Sequence, residues 1–386
     1  MKADKPIPYG TQNITQQDID AVVEVLHSKF LTQGPKVKEF EEKFANYVGA
    51  KYAVAVTNGT AALHLSAMAL GVNATSKVIT TPITFAASAN CIRYCGGEVV
   101  FADIDPNTAL LDIEKVRELI ERNPKGTFAG IIPVDFAGYP VDMKAFRDLA
   151  DDHSLWILED SCHAPGAYFT DHQGVKHYCG DGSLADLAIF SFHPVKHIAT
   201  GEGGMITTNS ETYYKKLLKY RSHGMVYQGN SELIENHGGW YMEMQELGYN
   251  YRLSDINAAL GISQLKRADS GLVRRHEIAQ RYDAAFKGTA IRTITVPKEY
   301  YHGLHLYIIQ VENRKDLYYY LRTHNVFAQV HYVPVHLMPY YKRFGWGKGD
   351  MPAAEQYYEH CLSIPMYPTL SNAEQDFVID LILNFK

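Results

Sequence analysis

Two periodicities divide the chain. Apolar residues return every three or four positions in DIDAVVEVLHS and in VKEFEEKFANYVG, which ends at Gly49. This spacing predicts two amphipathic helices that follow an N-terminal arm, IPYGTQNIT, and flank a link, FLTQGPK. From residue 52 the pattern changes. Short, β-rich apolar runs at 53–56 (AVAV), 77–81 (KVITT), 98–103 (EVVFAD), 128–135 (FAGIIPVD), 155–160 (LWILED), 187–192 (LAIFSF) and 204–208 (GMITT) are mostly separated by helical stretches. Strands alternating with helices predict an α/β architecture with a mostly parallel sheet, whose ligands sit at the carboxyl ends of the strands.

Beyond residue 210 the rhythm breaks. ETYYKKLLKYRSHG reads as a long helix, followed by a loop rich in Gly and aromatic residues and by a helix after YRLSD, where Ser254 or Asp255 can serve as N-cap. HLYIIQV and FAQVHYV read as strands, RKDLYYYLRTHN as a helix, and a further helix closes the chain. The expected organisation is a large α/β domain over 1–250, including the arm, and a small C-terminal α+β domain over 251–386.

Charge and composition narrow the function. The 386 residues carry a formal charge of −6 and no Lys/Arg block, so the electrostatic footprint of a nucleic-acid binder is missing, while a local basic pocket for a phosphorylated small molecule stays open. No apolar run approaches a membrane span or a signal segment, so a soluble, cytoplasmic protein with no membrane partner is expected. Cys91, Cys95, Cys162, Cys179 and Cys361 form an odd, scattered set that fits free thiols better than a disulfide frame. Cys91 and Cys95 lie one helical turn apart and His193 and His197 share that spacing, but Pro194 opposes a regular helix across the histidines, and no metal is expected.

The candidate chemistry begins at SFHPVKHIATGEGG, residues 191–204, which places Lys196 in a short link between two strands. Such a lysine is either a solvated loop residue or a Schiff-base amine. Asp160 closes the run LWILED; it is either a turn or helix-cap aspartate, or a buried anion that keeps a pyridinium nitrogen protonated. In TNGTAALHL, a strand gives way to a helix through a Gly-containing turn, and the backbone N–H groups of Gly59, Thr60 and Ala61, with the Thr60 hydroxyl, suit a phosphate. A plain strand-to-helix turn is the competing reading, and neither a P-loop lysine nor a GxGxxG fingerprint is present. Phe85, after the next strand, can stack on a flat ring or belong to the core. Phosphate cup, ring stacker, nitrogen partner and amine, each near a strand end, together fit pyridoxal 5'-phosphate better than they fit coincidence.

These residues carry a family resemblance. FLTQGPKVKEFEE, TNGTAALHL, ITFAAS, DIDP, EDSCHAPGA, SFHPVKHIATGEGG, NYRLSDINAALGISQL and IPMYPTL resemble the DegT/DnrJ/EryC1/StrS family of pyridoxal phosphate-dependent nucleotide-sugar aminotransferases, over nearly the full length. The resemblance implies the aspartate aminotransferase-like fold type I and a homodimer with shared active sites. It implies Lys196 as the Schiff-base lysine and proton shuttle, Asp160 at the ring nitrogen, Phe85 on the ring face, His163 near the cofactor's 3'-oxygen, Ser191 with Thr60 at the phosphate, and Asn250 reaching that phosphate from the neighbouring subunit. Tyr9, Leu31, Thr32 and Gly34 of the arm and the LTQG turn, and His331 and His336 of VHYVPVH, match places that line the sugar-nucleotide site in relatives. His197 stands where close relatives often have Pro, and the phosphate turn reads Thr57-Asn58-Gly59 where Asn-Ser-Gly is common.

Within the family, SFHPVK is most similar to the pseudaminic acid branch, which aminates C4 of a UDP-linked 2-acetamido-2,6-dideoxy-hexos-4-ulose. The implied reaction is a ping-pong transamination with glutamate as donor. Alternatives are a GDP- or dTDP-linked ketosugar, amination at C3, a dehydrase (whose known relatives carry histidine in place of the lysine), and a non-enzymatic pyridoxal phosphate-binding regulator.

Overall fold

The structure is a computed structural model that describes residues 2–385 except 228–231 and 236. Helices α1 (Gln16–Leu26) and α2 (Pro35–Val48) precede the sheet. Strands β1 (Tyr52–Val56), β2 (Lys77–Thr80), β3 (Glu98–Phe101), β4 (Gly130–Ile132), β5 (Trp156–Asp160), β6 (Leu187–Ser191) and β7 (Gly204–Thr208) follow. They form one seven-stranded sheet in the order β1-β7-β6-β5-β4-β2-β3. The pairs β2–β3, β2–β4, β4–β5 and β5–β6 are parallel, and β7 runs antiparallel to both β6 and β1. The reversal follows from chain length: residues 192–203 join β6 to β7 without the crossover helix that a parallel return requires.

Helices α3 (Gly59–Ala69), α4 (Ala87–Tyr94), α5 (Ile113–Glu121), α6 (Met143–His153) and α7 (Glu211–Tyr220) accompany the strands. α3, GTAALHLSAMA, is apolar on nearly every side, as a helix enclosed by protein should be, and it packs on β7, β6, α4 and α7.

The C-terminal part departs from expectation in two places. The helix expected after YRLSD is two helices, α8 (Asp255–Leu265) and the 19-residue α9 (Ala268–Phe286). FAQVHYV pairs as a strand only at Val326–Phe327, against Ile7–Pro8 of the arm; beyond that a bridge from Gln329 to Ser363 is its last ladder contact, and Pro334 lacks the N–H to continue one. Two hydrophobic cores share the C-terminal part. α8 packs against α1 and α2, and, apart from Ile7 of the arm, the second core starts at Ile278 in α9 and takes in β8 (Tyr307–Gln310), α10 (Arg314–Thr323), β9 (Cys361–Ile364) and the terminal helix Asn372–Leu383. The first core in turn takes in Leu306, Ile308, Val335, Tyr341, Tyr357 and Cys361, so the two cores interleave along the C-terminal part.

Candidate active site

The carboxyl edge of the sheet gathers the expected residues by register. Gly204, first residue of β7, pairs with Val56 at the end of β1 and with Ser191 at the end of β6. The turn after Val56 thus lies beside the lysine loop. A Cβ on Gly204 would stand 2.5 Å from the Asn58 carbonyl oxygen, so the GEGG sequence is explained by close approach to this turn. A Cβ on Gly59 would stand 3.0 Å from Ser191 Cβ and 3.5 Å from Cys162 Sγ, which brings three of the turns to one point.

At the start of α3 the Asn58 side chain accepts a hydrogen bond from the Ala61 N–H at 2.8 Å. Asn58 therefore fills the role expected of an external anion at Ala61, a correction to the sequence reading. The N–H groups of Gly59 and Thr60 have no partner within the described chain and face the same edge. They remain a two-donor anion site at a helix N-terminus.

Asp160 is buried at the end of β5. Its carboxylate accepts hydrogen bonds from Ser88 Oγ at 2.7 Å and from the Cys162 N–H at 3.2 Å, and Thr84 lies 2.8 Å from Ser88 through its hydroxyl. Ser88 is a contributor the sequence reading missed, although it sits in the same ITFAASAN stretch, one turn after Phe85. Phe85 is 63% exposed at the mouth of α4, with its ring 6.3 Å from that of Tyr332. A large apolar face left open beside a buried carboxylate suits a planar heteroaromatic ligand.

Lys196 is half-buried, and burial pulls its amine below the ordinary lysine range against the opposing pull of Cys162 and Asp160. Burial thus raises the share of neutral, nucleophilic amine relative to a solvated lysine. Its neighbour His197 donates through Nε2 to the Gly303 carbonyl at 2.6 Å, which ties the lysine loop to the C-terminal segment.

His163 is buried, and Nδ1 accepts from the Ala137 N–H at 3.2 Å, leaving Nε2 as the protonated nitrogen, 3.4 Å from the Tyr332 hydroxyl. Burial, then Lys196, holds it well below the usual histidine range and hence neutral. His305 stacks behind it, centroids 4.3 Å apart. His331 joins through Ser363, Nδ1 to Oγ at 2.8 Å, and burial beside Lys196 brings it down to about 3. Tyr9 packs on His331 at 5.0 Å. Tyr332 lies in VHYVPVH and His305 opens HLYIIQV, but neither was singled out in the sequence, and only their neighbours in space mark them.

His336 is fully buried. It pairs with Glu355 at 3.0 Å and packs near Phe101, so it is a core histidine and not a substrate contact, because no surface of it remains open. Leu31 and Thr32 stay exposed, whereas the Gly34 N–H is taken by Asp255 at 2.7 Å. Asn250 is exposed, pairs through its backbone with Ser222, and makes no side-chain hydrogen bond within the chain.

Free N–H donors, a hydrogen-bonded buried carboxylate, an open aromatic face and a buried amine fit pyridoxal 5'-phosphate, and with the sheet they define a pyridoxal phosphate-dependent aminotransferase of fold type I. The chain belongs to the DegT/DnrJ/EryC1/StrS aminotransferase family, whose profile matches residues 12–383. It is 40% identical over 385 residues to the spore coat polysaccharide biosynthesis protein SpsC of Bacillus subtilis, covering 97% of this chain and 96% of that one. It is 38% identical over 384 residues to the UDP-4-amino-4,6-dideoxy-N-acetyl-beta-L-altrosamine transaminase of Campylobacter jejuni, covering 98% and 97%. Among solved structures, Helicobacter pylori PseC, an aminotransferase of pseudoaminic acid biosynthesis, superposes with a TM-score of 0.87 at 31% identity over 98% of both chains. The protein is a sugar aminotransferase. Among the described residues, no helix is long and apolar enough to cross a membrane.

Proposed function

We propose that the enzyme moves an amino group from glutamate to C4 of a UDP-linked 2-acetamido-2,6-dideoxy-hexos-4-ulose. The observation that carries this reading is the single crevice in which Lys196, coupled in charge to Asp160 and Cys162, stands beside the Gly59–Thr60 donors, on a chain similar throughout to the Campylobacter transaminase. Bound pyridoxal phosphate supplies an electron sink for a carbanion at the amino-bearing carbon. The protein's own contribution is orientation and proton control. Gly59, Thr60 and Ser191 hold the phosphate end; Phe85 covers one ring face; Asp160, itself fixed by Ser88, sets an anion against the ring nitrogen. His163 turns its Nε2–H toward the 3'-oxygen side. Lys196 takes the proton from the substrate carbon and returns it on the other side. Tyr9, Leu31, Thr32 and His331 line the sugar-nucleotide side.

A homodimer with shared sites accompanies this reading. Its support is Asn250, exposed and, among the described residues, without a side-chain hydrogen bond, on a segment whose Tyr251 carbonyl accepts from the Thr57 N–H at 2.8 Å. Mixing the inactive variants Lys196→Ala and Asn250→Ala restores activity if one site of each mixed dimer holds both native residues; mixed dimers without activity would exclude sharing.

The substrate test is direct. Enzyme, glutamate and a panel of UDP-, dTDP- and GDP-linked ketosugars are incubated and 2-oxoglutarate is followed. Turnover is expected with the UDP-linked 4-ketosugar; turnover only with a dTDP-linked 3-ketosugar would move the chain to another branch of the family.

A further inference from the structure

Residues 250–257, NYRLSDIN, hold three separate turns of the site at once. The Tyr251 carbonyl takes the Thr57 N–H, and Arg252 bridges to Val56, so the start of the anion-binding turn is pinned. Asp255, with no exposed surface, accepts from the Gly34 N–H at 2.7 Å and the Lys36 N–H at 2.9 Å, while its own N–H donates to the Leu31 carbonyl at 3.0 Å. Asn257 donates from Nδ2 to the Thr200 carbonyl at 2.5 Å. Thr200 in turn donates its N–H to the Phe192 carbonyl at 2.9 Å and so closes the loop that carries Lys196.

Of these contacts only the Asn257 side chain also touches the start of α8, its Oδ1 accepting from the capping Ser254 hydroxyl. That helix is capped by Ser254, whose Oγ accepts from the Asn257 N–H at 3.2 Å. A fully buried carboxylate is costly unless its acceptors are used, and Asp255 spends both oxygens on the N-terminus of a different helix, α2. Its partners are the last residue of the Leu31–Gly34 turn and the residue two beyond it. Asn257, two positions further, spends its amide on the opposite turn. The two side chains leave one helix end in different directions, toward different parts of one site.

We propose that Asp255 and Asn257 are positioning residues that govern two separable steps of transamination: Asp255 shapes the Leu31–Gly34 turn and through it the binding of the sugar nucleotide, and Asn257 fixes the lysine loop and through it proton transfer by Lys196. The assignment of the first turn to the sugar side rests on the function proposed above.

Four variants test this. Asp255→Asn leaves one acceptor oxygen for two N–H donors, and Asp255→Ala leaves none; Asn257→Asp keeps the side-chain size but replaces the amide donor with a carboxylate that cannot donate to Thr200, and Asn257→Ala lacks the group altogether. Hydrogen exchange on the protein without cofactor reads positioning independently of turnover. Peptides spanning 31–37 should exchange about tenfold faster in the Asp255 variants with 193–201 unchanged, and the reverse should hold in the Asn257 variants. In turnover, Asp255→Asn should raise the sugar KM about tenfold with kcat within about twofold, and Asn257→Asp should lower kcat about tenfold with KM within about twofold. If Asp255→Ala does not fold, Asp255→Asn carries the test. The same kinetic constant moving in both sets, or exchange in 193–201 indifferent to Asn257, would overturn the proposal. A wild-type enzyme that aminates no ketosugar of the panel would overturn the substrate reading instead, and the exchange pattern would still decide on positioning.

Discussion

On the sheet side of the crevice, Gly59, Asp160, Ser191 and Lys196 each follow the end of a strand within a few residues, and backbone register brings them together. On the facing side, Tyr9, His305, His331 and Tyr332 come from the arm and from irregular chain, and are held by side-chain contacts such as His331 to Ser363. The first wall is specified by topology and by glycines that permit close approach; the second by burial and pairwise hydrogen bonds. A defect in the first wall displaces several groups together, whereas a defect in the second removes one contact.

The largest expected effect is on the first wall. Lys196→Ala should lower turnover by about 10³-fold or more while leaving the unfolding temperature near that of the wild type, since a half-buried loop amine contributes proton transfer and little packing. Steady-state rates and thermal unfolding check it together; a variant that keeps substantial rate removes Lys196 from its role.

Gly204→Ala is the sharper trial of register. Its Cβ would meet the Asn58 carbonyl at 2.5 Å, and relief of that clash must move the anion-binding turn. Cofactor affinity measured by titration should fall about tenfold or more, although residue 204 carries no functional group.

On the second wall, His331→Phe keeps the ring volume and loses the bond to Ser363. Cofactor affinity should stay within about twofold, and the sugar KM should rise by roughly fivefold. An equal loss of cofactor affinity would show that the walls are not independent.

The smallest effect concerns the back of the first wall, where Asp135, Glu159 and Cys179 lie buried with ligand atoms within 4.8 Å of one another. Burial raises Glu159 well above the usual carboxyl range and Asp135 to about 6. A raised carboxyl value means that the fold retains a proton the unfolded chain has lost, so its stability is full at low pH and declines as pH rises through this window, by about 1.4 kcal/mol per pH unit for each retained proton. Glu159→Gln cannot ionise. Its unfolding temperature relative to wild type should therefore increase between about pH 5 and pH 7; a constant difference would contradict the retention of a proton by the buried carboxyls.

The same contrast explains what was legible in the sequence. Strand-ending motifs announce the first wall, because a carboxylate after LWILED or a lysine between two strands has few ordinary uses. Ala61 was misassigned because Asn58 reaches back to cap it, a side-chain choice that spacing does not encode. FAQVHYV, residues 327–333, was read as a strand, but beyond Phe327 the run on through VHYVPVH has only the Gln329–Ser363 bridge and no longer ladder. His336 shares that stretch and looks equivalent to His331; only the three-dimensional packing separates a histidine paired with Glu355 from one beside Lys196.

The pairing of Ile7–Pro8 with Val326–Phe327 has a consequence for synthesis. The arm leaves the ribosome among the first segments and must wait for a partner more than three hundred residues later. Until then Tyr9 has no His331 to meet, and the sheet-side wall can form while the crevice stays open on its other flank. A nascent chain halted before residue 326 would thus display the sheet-side wall without the facing one, and a bulky fusion placed against Ile7 would keep the arm from its partner strand in the finished chain.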